Sequence, residues 1–205
     1  MSLGQMRGQH PTGTYARKVV EPLLIDLSWS SSRLEGNTYS LMETAELFKR
    51  CAAGDDLDAV MLLNHKSAIE FLVNAVPQRV LTSSLIKDLH AILMDFLLAD
   101  PGNGLGRIRE TVVGIGHSAY TPTQIPSLLD EMFQRVVTVA SEVKNPVEAA
   151  LFLWVNIAYL QPFLDGNKRT SRLAANIPLM GVQLRAAVIS WRGCPRLRVR
   201  DDGGL

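Results

Sequence analysis

The stretch Gln161–Arg172, QPFLDGNKRTSR, gathers an acid, a glycine, an asparagine and three cations between an apolar run and a helix-like segment. The order predicts a helix beginning near Asn167. The first amides of a helix have no intrahelical acceptor and its dipole adds positive potential, so an anion belongs at that end. Gly166 lacks a Cβ and lets a ligand approach the backbone closely. Arg169 and Arg172, three residues apart, share a helical face, and guanidinium forks suit phosphate oxygens. Lys168 brings a third cation. Asp165 would repel a bare phosphate, which points to Mg²⁺ between the acid and the ligand. Each residue alone also fits a solvated first turn capped by Asp165. Taken jointly, their spacing describes a polyphosphate site.

Such a site needs helices to hold it. Val19, Leu23, Leu27 and Leu34, with Leu24 and Ile25 beside them, predict a first helix over about Tyr15–Leu34, ended by EGNTYS. Ser40 heads SLME, a capping-box pattern with Glu43 as the returning acid and Gly54 as the stop. A third helix is expected over Asp56–Ala75, with a stripe through Val60, Leu63, Ile69 and Leu72. A fourth fits Ser83–Leu98, where Leu85, Leu89, Ile92 and Phe96 share a face. Glycines and prolines break the helical period over Ala99–Pro126 while TVVGI supplies β-branched residues, so a short hairpin or flap is expected around Thr111–Tyr120. Helices resume near Pro126. Asn145, Pro146 and Glu148 then supply cap, first-turn proline and acid for a helix that runs to about Leu160 and delivers Gln161 at its end. The sum is a mainly α bundle with one small β element.

QPFLDGNKRTSR resembles the signature of Fic (Fido) domains, HxFx(D/E)GN(G/K)RxxR, from Phe163 to Arg172 but not at the first position. Upstream, GRIRETVVGIGHSAYTP, Gly106 to Pro122, is similar to that family's target-docking flap, with Gly116, His117, Ser118 and Tyr120 in the docking stretch. The resemblance runs from about Val19 to Met180. It implies a Fic-type helical bundle with a short β-hairpin flap, ATP with Mg²⁺, and transfer of AMP to a hydroxyl side chain of a target protein. It implies also that Asp165 holds Mg²⁺, that Gly166 and Asn167 line the anion hole, that Arg169 and Arg172 grip phosphates, and that Phe163 anchors the loop in the core. SSRLEGN, Ser31 to Asn37, looks like the inhibitory (S/T)xxxE(G/N) motif, with Ser31, Glu35 and Gly36 in register. By that likeness Glu35 pairs with Arg172 and occupies the fork a phosphate needs.

Gln161 stands where the family carries the histidine that takes the proton from the attacking hydroxyl. A neutral amide has no basic site near pH 7. General-base catalysis is typically worth about 10²- to 10⁴-fold, so transfer should slow by that order while phosphate binding survives. His90 and His117 are the candidate substitutes, His117 from within the flap, although a lone histidine more often packs or faces solvent. Three readings stay open: an autoinhibited AMP-transferase scaffold with a compromised base, a nucleotide-sensing or target-binding pseudoenzyme that regulates a partner, and a helical interaction domain whose arginines are merely solvated.

Composition restricts other classes. The chain has 205 residues, a formal charge of +1 and 47% hydrophobic content, which excludes a general basic field for nucleic acid. Its apolar runs fall short of the roughly 20 residues a membrane span needs. Two cysteines and no apolar leader make the cytoplasm the expectation. The four histidines show no metal-ligand spacing, and PGNGLGR, Pro101 to Arg107, lacks the ending and context of a phosphate loop. Trp29 and Trp154 read as core. The expected divisions are a lead-in over 1–15, an inhibitory helix region over 16–54, a Fic core over 55–180 and an atypical basic tail over 181–205. The tail holds five arginines and no lysine. It reads as a basic end or as a shifted frame, since DNA able to encode QLRAAVIS gives NCAPLSF one base later. The second case would remove a C-terminal winged helix of the kind relatives often carry. Relatives also often pair as homodimers.

Overall fold

The computed structural model describes residues 24–76, 78–99, 104–115 and 118–184. Among these residues the regular structure is helical, with no strand. The order is α1 (24–33), α2 (Leu41–Arg50), α3 (Leu57–Ala75), α4 (Ser83–Met94), α5 (Pro126–Glu142), α6 (Pro146–Leu160), α7 (Asn167–Ala174) and α8 (Asn176–Leu184). Polar side chains set the starts. Ser40 and Glu43 exchange both bonds of a capping box at α2, and Asp56 and Thr82 cap α3 and α4. Asn145 Oδ1 accepts from the Val147 and Glu148 amides at 2.9 and 3.4 Å, with Pro146 in the first turn of α6.

The core lies where α6 packs on α5, α7 and α8 while α4 packs on α3 and α7. Leu62, Leu85, Leu89, Phe133, Leu153 and Phe163 are fully buried there. No described helix is long and apolar enough to cross a membrane.

Several expectations are corrected. Residues 15–23 lie outside the described part, and within α1 the buried face is Leu24, Ser28, Ser31 and Ser32, while Leu27 and Leu34 are exposed. A polar contact with α7 outweighs the leucine stripe. Helix α2 stops at Arg50 because Cys51 adopts the left-handed conformation (φ 55°), ahead of Gly54. On α3, Leu62 is fully buried, whereas Val60 and Leu63 are half-buried. Helix α4 ends at Met94: the Asn64 amide takes the Leu93 and Asp95 carbonyls at 3.1 and 2.7 Å, and Phe96 turns left-handed (φ 59°) and outward. Trp154 is about half exposed rather than core, while Trp29 is half-buried with its indole N–H on the Tyr39 carbonyl.

The expected hairpin does not form as a ladder in the described residues. Side chains take the carbonyls that would pair its limbs: Arg109 donates to Thr111 and Thr123, and Gln124 to Val113 and Pro122. Gly116 and His117 lie outside the described residues, as does the tail from 185 onward.

His65 on α3 is fully buried, and that burial, aided by the nearby Arg169 and Arg172 charges, holds its imidazole down to about 3. An unfolded histidine takes up its proton near pH 6.5, so below about that pH the unfolded state binds more protons and stability falls as pH drops toward 3. The thermal midpoint should therefore decline between about pH 7 and pH 4, and His65→Gln should flatten the decline by up to about one proton's slope. A parallel profile for the variant would refute this role for His65.

Candidate functional site

At the end of α6, Gln161 adopts the left-handed conformation (φ 50°, ψ 58°) with its amide still on the Ile157 carbonyl at 3.1 Å. The chain turns sharply there into Pro162–Gly166. Phe163 drops into the core, stacked on His90 at 3.9 Å and edge-on to Phe133 at 5.7 Å. Asn167 closes the loop from the other side. Its Nδ2 donates to the Phe163 carbonyl at 2.8 Å, and its Oδ1 accepts the Phe163 amide at 2.9 Å. The Asn167 side chain thus staples the loop, and only its backbone is left to face an anion.

His90 ties the loop to α4. Its Nδ1 accepts from the Gly106 amide and its Nε2 meets the Asp165 carbonyl, both at 3.0 Å, which fixes a neutral ring with the proton on Nε2. Burial holds its pKa down to about 4. With both nitrogens engaged, His90 has no lone pair to offer in place of the missing base.

Gly166 is left-handed (φ 72°), and a Cβ there would lie 2.4 Å from Met94 Sδ. The space freed by this glycine is filled by the core. The sequence suggested ligand access as its reason; the turn and Met94 also demand it. Helix α7 starts immediately afterwards with no side-chain cap, leaving its first amides directed at the loop.

The cations divide by exposure. Lys168 is exposed, Arg172 is half-buried, and Arg169 is 5% exposed. Burial lowers the Arg169 pKa, opposed by the carboxylates of Asp165 and Glu35. Its Nη2 stands 3.8 Å from Asp165 Oδ2, while Nε and Nη1 have no hydrogen-bond partner among the described residues. Arg172 is held through Nε and Nη2 by α1 and the turn after it. Its Nε donates to Ser31 Oγ at 2.9 Å, and its Nη2 donates to the Ser31 carbonyl at 3.2 Å and to Glu35 Oε1 at 2.6 Å. Gly36 (φ 90°) turns the chain behind Glu35, where Asn37 and Thr38 bond to Asp58 at the head of α3.

Asp165 is mostly exposed at the mouth of this cluster. One carboxylate beside phosphate oxygens suits Mg²⁺, which keeps several waters and seldom uses an all-protein cage. The described residues hold no group of three or more His, Cys, Asp or Glu able to bind a metal. On the flap side, the Tyr120 ring stacks on Tyr159 at 3.8 Å, and Ser118 Oγ accepts the Tyr120 amide at 3.1 Å. This brings the segment beside the last turn of α6, next to Gln161.

Sequence reasoning missed Arg109, Gln124 and the structural part of His90. His90 falls among the buried positions Ile86, Leu89 and Leu93 of α4, and that placement was its available signal. Nothing in GRIRE separates Arg109 from the neighbouring Arg107.

Residues 80–179 match the model of the Fic/DOC family. The protein adenylyltransferase Fic of Drosophila grimshawi is 27% identical over 180 residues, covering 83% of this chain and 36% of that protein. The protein adenylyltransferase fic-1 of Caenorhabditis briggsae is 27% identical over 184 residues, covering 84% and 34%. The chain thus spans about a third of the length of the curated relatives it matches. Among solved structures, a Fic domain containing signaling protein from Bacteroides thetaiotaomicron superposes with a TM-score of 0.68 at 22% identity, over 82% of this chain and 66% of that one. A fragment of Fic-1 from C. elegans gives 0.66 at 23% identity, over 88% and 57%. These likenesses establish the fold.

The left-handed turn before α7 yields a test of its own. Gly166→Ala should cost about 1–2 kcal/mol for the backbone alone, and more for displacing Met94. Chemical denaturation of Gly166→Ala with and without Met94→Ala should show the second substitution recovering part of the loss; full additivity would mean the contact with Met94 contributes nothing.

Proposed function

We propose that this chain, whose residues 80–179 form a Fic/DOC domain, binds ATP with Mg²⁺ at the start of α7 and is the scaffold of a protein adenylyltransferase acting on a hydroxyl side chain of a protein target. The observation that carries the reading is the state of the two arginines. Arg169 is buried with two nitrogens unpartnered among the described residues, and Arg172, three residues on, has its Nε and Nη2 taken by Ser31 and Glu35. A polyphosphate would meet the uncapped amides of α7 and both guanidinium groups. Asp165 would hold the metal, which when bound supplies charge neutralisation between the carboxylate and the phosphates.

Glu35 and a phosphate oxygen compete for the same Arg172 nitrogens, so the α1 motif acts as an internal inhibitor. The proton of an attacking hydroxyl has no acceptor at Gln161, because a carboxamide is not basic and its Nε2 donates to the Ala158 carbonyl at 2.5 Å. Binding is therefore retained while transfer is slowed. That same hydrogen bond favours the second reading, a nucleotide-sensing or target-binding pseudoenzyme, because it commits the Gln161 side chain to the helix end.

Calorimetry with ATP and Mg²⁺ tests the site. Glu35→Gly should tighten binding by about tenfold or more, the value of one charge-assisted bond, and absence of binding in both proteins would overturn the proposal. Gln161→His in that background should raise AMP transfer from labelled ATP by about 10²- to 10⁴-fold. Binding without transfer in either background would select the pseudoenzyme.

A further inference from the structure

The buried guanidinium of Arg109 lies within the stretch likened to the docking flap, though it is none of the docking residues named there, and it ties that stretch to the turn at Gln161. Only 4% of the residue is exposed. Its Nε donates to the Gln161 carbonyl at 2.7 Å and its Nη2 to the Thr123 carbonyl at 2.6 Å. Its Nη1 reaches the Thr111 carbonyl at 2.9 Å and Gln124 Oε1 at 3.1 Å, and its backbone amide donates to the Pro162 carbonyl at 3.0 Å. Gln124 completes the clamp: its Nε2 donates to the carbonyls of Val113 and Pro122 at 3.2 and 2.6 Å.

Two limbs of one segment, residues 111–113 and 122–124, are thus closed onto each other through side chains, and both are fastened to the left-handed turn that presents Gln161. The planar fork matters here. Its donors have fixed relative directions, so satisfying three carbonyls and an amide oxygen fixes the limbs and the turn relative to one another. A lysine has one nitrogen and cannot span them. Burial disfavours the charged form of Arg109, and that cost is tolerated because every acceptor around it is a neutral oxygen already directed inward.

The geometry points to Arg109 as a positioning residue: it sets the register between a target held by the limbs 111–113 and 122–124 and the Gln161 turn, acting through the Gln161 and Pro162 carbonyls. This rests on the reading that the segment holds the target whose hydroxyl is presented at the junction. Arg109 touches neither phosphate nor hydroxyl. It holds the two supports at one distance, while the phosphates are held separately at the start of α7.

Hydrogen exchange read by mass spectrometry tests the coupling without a target. Arg109→Lys should speed exchange by about tenfold or more in peptides covering 110–124 and 161–165 together, while peptides of α3 and α4 stay unchanged. Unchanged exchange at 161–165, or equal acceleration in α3 and α4, would overturn the proposal. Gln124→Met serves where Arg109→Lys fails to fold. It should loosen 110–124 alone, since the bond from Arg109 to the Gln161 carbonyl survives, and acceleration in both segments or in neither would count against the clamp. In a Glu35→Gly background, either variant should keep the affinity for ATP and Mg²⁺ within about threefold, and a loss of tenfold or more would place Arg109 in nucleotide binding instead. If the Glu35→Gly parent binds no ATP, the proposed function fails while the exchange measurement still decides the coupling.

Discussion

Arg172 and Arg169 sit three residues apart on one short helix, partly or almost wholly out of water, and two such cations require negative charge from elsewhere. Asp165 supplies part of it at 3.8 Å and Glu35 supplies the rest at 2.6 Å. The position of α1 follows from that demand. A helix placed by its leucines would bury Leu27 and Leu34; this one exposes both and buries Ser28, Ser31 and Ser32, since only that face carries Ser31 Oγ and Glu35 to the Arg172 fork. Local hydrophobicity is outvoted by a buried charge that would otherwise go unanswered.

The loop before α7 is shaped without help from a ligand. Phe163 is held between two rings, Asn167 bonds both polar groups of Phe163, His90 links Asp165 to Gly106, and Arg109 links Gln161 to the flap segment. Gln161 takes part in this framework through its backbone: its left-handed dihedrals make the turn and its carbonyl meets Arg109. The side chain contributes separately. Under the proposed reading, a change from base to amide at this one position would remove proton transfer and leave the phosphate-binding groups in place, because the side chain is not part of the framework.

Those parts of the fold whose cause is local were legible in the sequence. Ser40 with Glu43, Asn145 with Pro146, and Gly166 before Asn167 each act within a few residues of themselves, and each marks a helix end as expected. What escaped depends on partners far along the chain. Asn64 stops α4 from a distance of 29 residues, and Arg109 reaches Gln161 across 52. The flap segment has β-branched residues and glycines yet no ladder among its described residues, where two long side chains take the carbonyls of Thr111, Val113, Pro122 and Thr123. Trp154, read as core from its bulk and surroundings, lies on the outward side of α6.

The hold of α1 on Arg172 rests on few contacts. The charge-assisted bond from Glu35 stabilises the contact, but Ser28 Oγ and Ser32 Oγ are buried on the same face with no partner among the described residues, and a buried group left so costs about 1–3 kcal/mol. Among the apolar residues of α1, Leu24 alone is nearly fully buried, so little hydrophobic area opposes displacement. The far end is different: Asn37 and Thr38 make three bonds to Asp58, anchoring the turn behind Glu35. Under the proposed reading, a polyphosphate need displace only the Glu35 carboxylate and the Ser31 contacts while the anchor stays. The inhibitor can then yield at its tip and return without leaving the domain.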